Sequence, residues 1–564
     1  MNSKSLATPI LAPGVTPSEG VRFALLDAVI AVIVLLIASS SLSFAHAQQR
    51  ASKPPTAKLS PAPHEQWDVV ELSLAHHAEG NPFTDVALTA TFTHDDGAQL
   101  VATGFYDGDD AYRIRFSPDR PGHWTYVTQS ETVPLNGAKG EFNVVPAVGD
   151  NLGPVRVGEN GYHFAYADGA PYRPIGTTCY AWTSQPEELE VLTLQTLKAA
   201  PFNKLRMCVF PKRYTWNENE PPLYAFEGTP PKTWDFTRFN PKFFQHLEQR
   251  IVDLQKLGIE ADVILLHPYD EGHWGFDRMP DDADDRYLRY VVARLAAYRN
   301  VWWSLANEYD FMTEKQPDDW DRMIEVVDEA DPYDRLTSIH NGRDIYNHTN
   351  PRLTHASIQN GSAAEDAGRA VLYRDVYRKP IVFDEIKYEG DIPKRWGNLS
   401  AKEMVHRFWE CVVAGTYPGH GECYLSEDDV LWWAKGGQLK GESPPRIKFL
   451  AEILKTAPAE GLEPIDKWQY PNIVGKPGEY YLVYFGEEAP TKWRFFLPRY
   501  ELKEGEQFHV DVLDTWMMTV TSIAEPFIIR QSSEYIFIDK AGRSVPLPGK
   551  PWQALRITKI NPLK

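Results

Sequence analysis

Val301-Trp302-Trp303-Ser304-Leu305-Ala306-Asn307-Glu308-Tyr309-Asp310 opens as an apolar strand, ends in an Asn-Glu pair and then turns polar. A run this short and apolar, led by Val and Trp, suits a strand covered on both faces. A carboxylate at the end of such a strand is expensive to bury without a partner, so Glu308 points to chemistry rather than packing. Outward from this stretch the chain alternates strand and helix. Strands are expected at 172–178, 203–210, 259–266, 301–306, 336–340, 354–359 and 379–385, with a weaker eighth within 415–424. Helical patterns follow at 186–200, 241–257, 282–298, 318–330, 365–377, 401–414 and 445–454. This rhythm over residues 160–460 matches a (β/α)8 TIM barrel. A doubly wound open sheet is the competing arrangement, but the phosphate-binding glycine fingerprint that often marks it is missing.

The flanks read differently. Residues 65–150 carry short alternating strands separated by turn signals such as Asp95-Asp96-Gly97 and Pro121-Gly122, a β-sandwich pattern. Alternating runs return over 465–564, giving a C-terminal all-β domain. The fold class is therefore multidomain α/β, a central barrel between two β-domains. Residues 48–64 are rich in Pro, Ala and Ser and read as a linker. In residues 1–47, Arg22 precedes the apolar run 28–38, and Ala45-His46-Ala47 fits a small-x-small cleavage site. A cleaved signal peptide, a secreted or periplasmic protein and no transmembrane domain in the mature chain are expected. An uncleaved membrane anchor competes, because a long stretch precedes the run and Asp27 sits at its edge.

The chain has 564 residues and a net charge of −19, which leaves no basic footprint for nucleic acid. Its 17 Trp, 27 Tyr and 26 Phe supply flat faces on which sugars can stack. Cys179, Cys208, Cys411 and Cys423 form no close C-x-x-C pair and lie in or beside apolar runs, so buried free thiols are expected.

Catalytic groups of such barrels lie at the C-terminal ends of the strands. Strand one delivers Tyr180 and Trp182, strand two Arg206, and strand three His267 with Trp274 beyond it. Strand four delivers Asn307-Glu308, strand five His340, strand six Gln359-Asn360 and strand seven Asp384-Glu385; Glu422, Trp432 and Trp433 follow strand eight. Glu308 and Glu385 face each other across the mouth as the carboxyl pair of a double-displacement glycosidase, where about 5–5.5 Å separates acid/base from nucleophile. Glu308, after a dry strand, is the expected acid/base, and Glu385 the nucleophile, held ionised by Arg206. Alternation turns Asp384 to the other face, and Glu422 is a weaker rival. Asn307 is placed to bind a substrate 2-hydroxyl. His267 and His340 would bind hydroxyls or orient a glutamate. Tyr180, Trp182, Trp274, Trp432 and Trp433 would supply a stacking platform. His267, His340 and His273 lack compact metal-ligand spacing, so neither metal nor cofactor is expected.

On Asn307-Glu308 and Glu385 the chain resembles the retaining glycoside hydrolases of clan A. The stretches Trp303-Ser304-Leu305-Ala306-Asn307-Glu308-Tyr309-Asp310, Phe383-Asp384-Glu385 and Asp429-Val430-Leu431-Trp432-Trp433-Ala434-Lys435-Gly436-Gly437 carry a closer likeness. They resemble bacterial proteins that join an immunoglobulin-like domain of unknown function to an apiosidase-like barrel and a collagen-binding-like β-domain. That resemblance implies a carbohydrate substrate and cleavage of O-glycosidic bonds in an oligosaccharide or polysaccharide. Gln359-Asn360 departs from the clan, where a tyrosine or histidine often follows strand six. The competing function is a non-catalytic carbohydrate-binding or surface-attached protein on a glycosidase scaffold. The long inserts 211–239 and 426–441 suggest a walled pocket and exo action.

Overall fold

Eight parallel strands close around the centre of the chain: β1 Gly176–Thr178, β2 Lys204–Cys208, β3 Glu260–Leu266, β4 Val301–Ala306, β5 Thr337–Ser338, β6 Ala356–Gln359, β7 Ile381–Glu385 and β8 Tyr417–His420. They pair in the order β5-β4-β3-β2-β1-β8-β7-β6, and one parallel bridge between His340 and Ser357 joins β5 to β6. This computed structural model describes residues 56–498 and 502–560. The expected signal, its cleavage site and the first part of the linker lie outside those residues. Among the described residues no helix is long and apolar enough to cross a membrane.

Seven helices cover the barrel: α1 Glu187–Ala199, α2 Pro241–Lys256, α3 Asp281–Leu295, α4 Pro317–Ala330, α5 Ala367–Tyr377, α6 Ala401–Val413 and α7 Ser443–Leu454. Their starts are legible locally. Asn240 caps α2 through its side chain with a proline at the first turn, and Ser400 and Glu403 form a reciprocal capping box on α6. No helix joins β5 to β6. β4 is buried at every position, as its continuous apolar run requires.

The barrel interior is ionic at its centre. Lys204 Nζ donates to Asp262 at 2.5 Å and Asp384 at 2.7 Å, and Arg206 reaches the same two carboxylates at 3.4 and 3.3 Å. Ser357 also donates to Asp384. Burial works against the Asp384 charge, but Lys204 and Arg206 outweigh it and hold the carboxyl well below its ordinary range. Alternation along β7 thus sends Asp384 into this plug and leaves Glu385 at the mouth.

Ahead of the barrel, eight strands pair in the order 58–59, 70–75, 111–116, 99–106, 89–94, 122–129, 139–145, 64–65. Val70, Leu72 and Leu74 alternate inward to meet Phe92, Phe116, Trp124 and Phe142. The last part of the Pro-rich stretch therefore contributes two short pairings to this sheet. Behind the barrel, nine strands build a second all-β layer around Tyr481, Phe495, Phe508, Phe527 and Leu555. Tyr484 from it stacks on Trp409 of α6, centroids 5.4 Å apart. The four cysteines are free and buried.

The N-terminal sheet meets the barrel through charges that its sequence pattern does not reveal. Arg294 of α3, fully buried, donates to Asp107 at 2.6 Å and to Glu248 of α2 at 2.5 Å, and Arg115 donates to Glu248 at 2.7 Å. Removing one partner strands the other charges in a dry interface, at about 3–5 kcal/mol. Arg294→Ala is therefore expected to lower the midpoint of chemical unfolding and to open the Asp107 segment to proteolysis first. An unchanged midpoint would show that water reaches the network.

Candidate active site

β4 delivers the first carboxylate. Asn307 N–H donates to the Leu266 carbonyl at 3.0 Å and Tyr309 N–H to the His340 carbonyl at 3.0 Å. Between them Glu308 sits in the left-handed region, φ 49°. A non-glycine residue enters that region at a cost of about 1–3 kcal/mol, which concentrates at functional positions. Glu308 is 7% exposed. Burial, then the nearby Glu385, push its pKa up to about 8, with Lys212 and Gln359 opposing. A carboxyl in this state is a proton donor at neutral pH.

β7 delivers the second. Glu385 Oε1 accepts a short hydrogen bond from the Tyr180 hydroxyl. Burial and the Glu385 charge raise the Tyr180 pKa far above its ordinary value, so its hydroxyl stays a donor. That hydroxyl also lies 3.1 Å from Asn307 Oδ1, and Asn307 Nδ2 lies 3.4 Å from Glu308 Oε2. Gln359 Nε2 approaches Glu308 Oε1 at 3.3 Å. The two carboxylates are thus linked through Asn307 and Tyr180. The tyrosine on Glu385 comes from strand one, and the strand-six position holds a glutamine that serves Glu308 instead.

Both glutamates line one pocket of about 330 Å³, toward the small end of ligand sites. Tyr180, Trp433, Tyr388 and Trp396 form much of its wall, with Lys212, Tyr214 and Tyr269 on the side of the first insert. Trp433 and Trp396 pack at 4.9 Å between centroids. A Cβ at Gly421 would overlap the Tyr388 ring, so glycine there lets Tyr388 close against the wall.

Several expected site residues sit elsewhere. Trp182, Trp274 and Trp432 are core side chains, each 0–2% exposed and none lining the pocket. Trp274 donates to Glu220 and Trp432 to Thr177, both at 2.9 Å. His267 is buried against the Phe210 carbonyl at 3.2 Å, and burial lowers its pKa to about 4. Arg206 makes no direct bond to Glu385: its guanidinium serves Asp262, Asp384 and, at 3.0 Å, Asn307 Oδ1. It fixes Asn307, which is buried and bridges the two carboxylates instead of lining the pocket. His340 lies under Glu385, Nε2 to Oε1 3.6 Å, with Nδ1 on Ser357 Oγ at 2.9 Å. It packs beneath the carboxylate and does not reach the sugar space.

Glu422 lies apart, beside Glu389 and His420 in a buried group. Its carboxylate accepts the Lys440 and Gly441 N–H groups, and Glu389 accepts those of Glu442 and Ser443. These bonds anchor the segment leading into α7. Lys212, Tyr388 and Trp396 line the pocket without any motif that marks them in the sequence. All three follow barrel strands on the catalytic face, and that position was the one signal available.

Tyr180→Phe removes one charge-assisted bond, worth about 1.5–3 kcal/mol, from Glu385. Turnover is expected to fall by about 10- to 100-fold with unfolding behaviour little changed. Wild-type kcat in this variant would mean that Tyr180 only packs.

A family model described as "Apiosidase-like, catalytic domain" matches residues 158–446, and two domains of unknown function, DUF5060 and DUF5605, match residues 63–131 and 468–558. The chain is similar to a solved structure of a candidate glycoside hydrolase from Bacteroides vulgatus ATCC 8482. The two are 43% identical, with 88% of this chain and 99% of that one covered and a TM-score of 0.85. A glycoside hydrolase family 5 structure from the same organism shares the fold at 16% identity, covering 73% of this chain and 94% of that one, TM-score 0.53. No curated protein matches. The chain belongs to the apiosidase-like catalytic-domain family, and its barrel is that of a glycosidase.

Proposed function

We propose that the protein is an exported retaining glycosidase in which Glu308 is the acid/base and Glu385 the nucleophile. The observation that carries this is the pairing of a buried carboxyl, proton-bearing at neutral pH, with a second carboxylate in the same aromatic pocket. Glu308 gives its proton to the glycosidic oxygen as Glu385 attacks the anomeric carbon. The leaving group departs and a glycosyl ester forms on Glu385. Glu308, now a carboxylate, takes a proton from water, and the water oxygen displaces Glu385 with the anomeric configuration retained. Tyr180 holds the Glu385 oxygen in line, and Gln359 and Asn307 orient Glu308. Trp433 or Trp396 offers the sugar a stacking face. Walls built from the inserts around Lys212 and Trp433 favour exo action on short chains. Export rests on residues 22–47, whose charge, apolar run and small-x-small end fit a signal peptide.

A 2-fluoro glycoside with a good leaving group slows the second step more than the first. Mass spectrometry of a peptic digest is expected to find the sugar on Glu385. NMR of the first product formed is expected to show the substrate's own anomer, and the opposite anomer would overturn the retaining reading.

A further inference from the structure

Lys212 is a buried lysine set among four rings. Its Nζ lies 3.8 Å from the centroid of Tyr180, 4.0 Å from Tyr269, 4.8 Å from Tyr214 and 5.0 Å from Trp433. Ring faces attract a cation by about 0.5–2 kcal/mol, which does not repay the removal of an ammonium from water. Among the described residues Nζ makes no ion pair and no hydrogen bond. Yet it lines the pocket beside Glu308 and Glu385. The backbone fixes it there: its carbonyl accepts from the buried Asn217 amide, whose own oxygen accepts from Gln185 at 3.1 Å. Burial lowers the Lys212 pKa on balance, with Cys208, Glu308 and Glu385 opposing it in part. A charge kept under these conditions gains from any anion brought to it.

The rim points the same way. Arg395 is exposed, lines the same pocket and makes no ion pair among the described residues. Lys387 lines it too, and its Nζ is no closer than 3.8 Å to Glu365. The pocket therefore sets three basic side chains against the Glu385 carboxylate and the proton-bearing Glu308, in a chain whose net charge is −19. Hydroxyl groups of a neutral sugar would leave the Lys212 charge uncompensated. A carboxylate or sulfate gives it a charge-assisted partner.

We propose that the pocket takes a sugar bearing an anionic oxygen group, a uronic acid or a sulfate ester, with Lys212 seating that group and Arg395 and Lys387 at the entrance. This rests on the glycosidase reading of the same pocket and names its substrate class.

The test is calorimetric titration of the full chain with D-glucuronate, D-galacturonate, galactose 6-sulfate and inorganic sulfate, against glucose and galactose. At least one anionic probe is expected to bind saturably, about tenfold or more tighter than its neutral counterpart. Whether the uronates or the sulfates prevail decides between the two groups. Lys212→Met is expected to lose about tenfold or more for the anion and little for the neutral sugar, and Arg395→Gln, at an exposed position, to lose less. Absence of saturable anion binding overturns the proposal, as does equal binding of neutral sugars. So does a Lys212→Met loss that is equal for both kinds of ligand, or a preference that survives both substitutions. Should Lys212→Met fail to fold, Lys212→Gln and Arg395→Gln carry the test. Binding of these free sugars needs no turnover, so an active Glu385→Gln variant would sink the mechanism and leave this result standing.

Discussion

Glu385→Gln is expected to reduce turnover of the true substrate by about 10⁴- to 10⁶-fold, the scale on which removal of a nucleophile acts. The amide keeps the shape of the carboxylate but cannot form the glycosyl ester. Tyr180 can still donate to the amide oxygen, so little packing is lost and the thermal midpoint should hardly move. Active-site titration with the 2-fluoro glycoside should give no labelled enzyme. Full activity in the variant would sink the assignment, and residual activity of wild-type contamination is separated from it by the labelled fraction.

The second large effect belongs to Glu308, and it depends on the leaving group and on pH. Glu308→Gln removes the proton donor, worth about 10²–10⁴-fold in general acid catalysis. Poor leaving groups should feel the loss fully. An activated aryl glycoside needs no proton to depart, so its first step should survive and glycosyl-enzyme should accumulate. Added azide, which needs no base, should then restore turnover and give a glycosyl azide of retained configuration. In the wild-type enzyme Glu308 must be protonated to act, and its pKa is raised from the usual 4.5 to about 8, first by burial. Activity on poor leaving groups should therefore persist through neutral pH and fall as pH climbs past about 8.

The same shift has a consequence for stability. A carboxyl whose pKa rises on folding takes up a proton between the unfolded and folded values. Its contribution is fully present below about 4.5, declines as pH rises, and is lost once pH passes about 8. Glu308→Gln abolishes that dependence. The midpoint of the variant, measured against wild type, should rise with pH across this window. A flat difference would place Glu308 in contact with water, and the dry-acid assignment would fall with it.

Period and position in the chain determined the architecture. The apolar β4 run, the strand–helix alternation around it and the alternating flanks each depend on local patterns that survive without tertiary information. Barrel geometry then forced Glu308 and Glu385 to one face, since residues at strand ends have no other mouth to share. The indoles were different. Trp182, Trp274, Trp432 and Trp433 all follow strands, yet only Trp433 lines the pocket. Whether a large ring stacks on substrate or fills the core is set by how the inserts fold back, and 3.6- or 2-residue periods carry no trace of that. Strand position alone points Arg206 toward Glu385, but Asp262 and Asp384 lie within its reach inside the barrel, and close opposite charges in a dry interior prevail over a more distant one. Tyr180 on Glu385, Gln359 on Glu308 and the ring-bound Lys212, which meets Trp433, arise from side chains up to 221 positions apart. Only the closed barrel brings them within bonding distance, so tertiary structure alone decided how the two glutamates are held and what charge waits beside them.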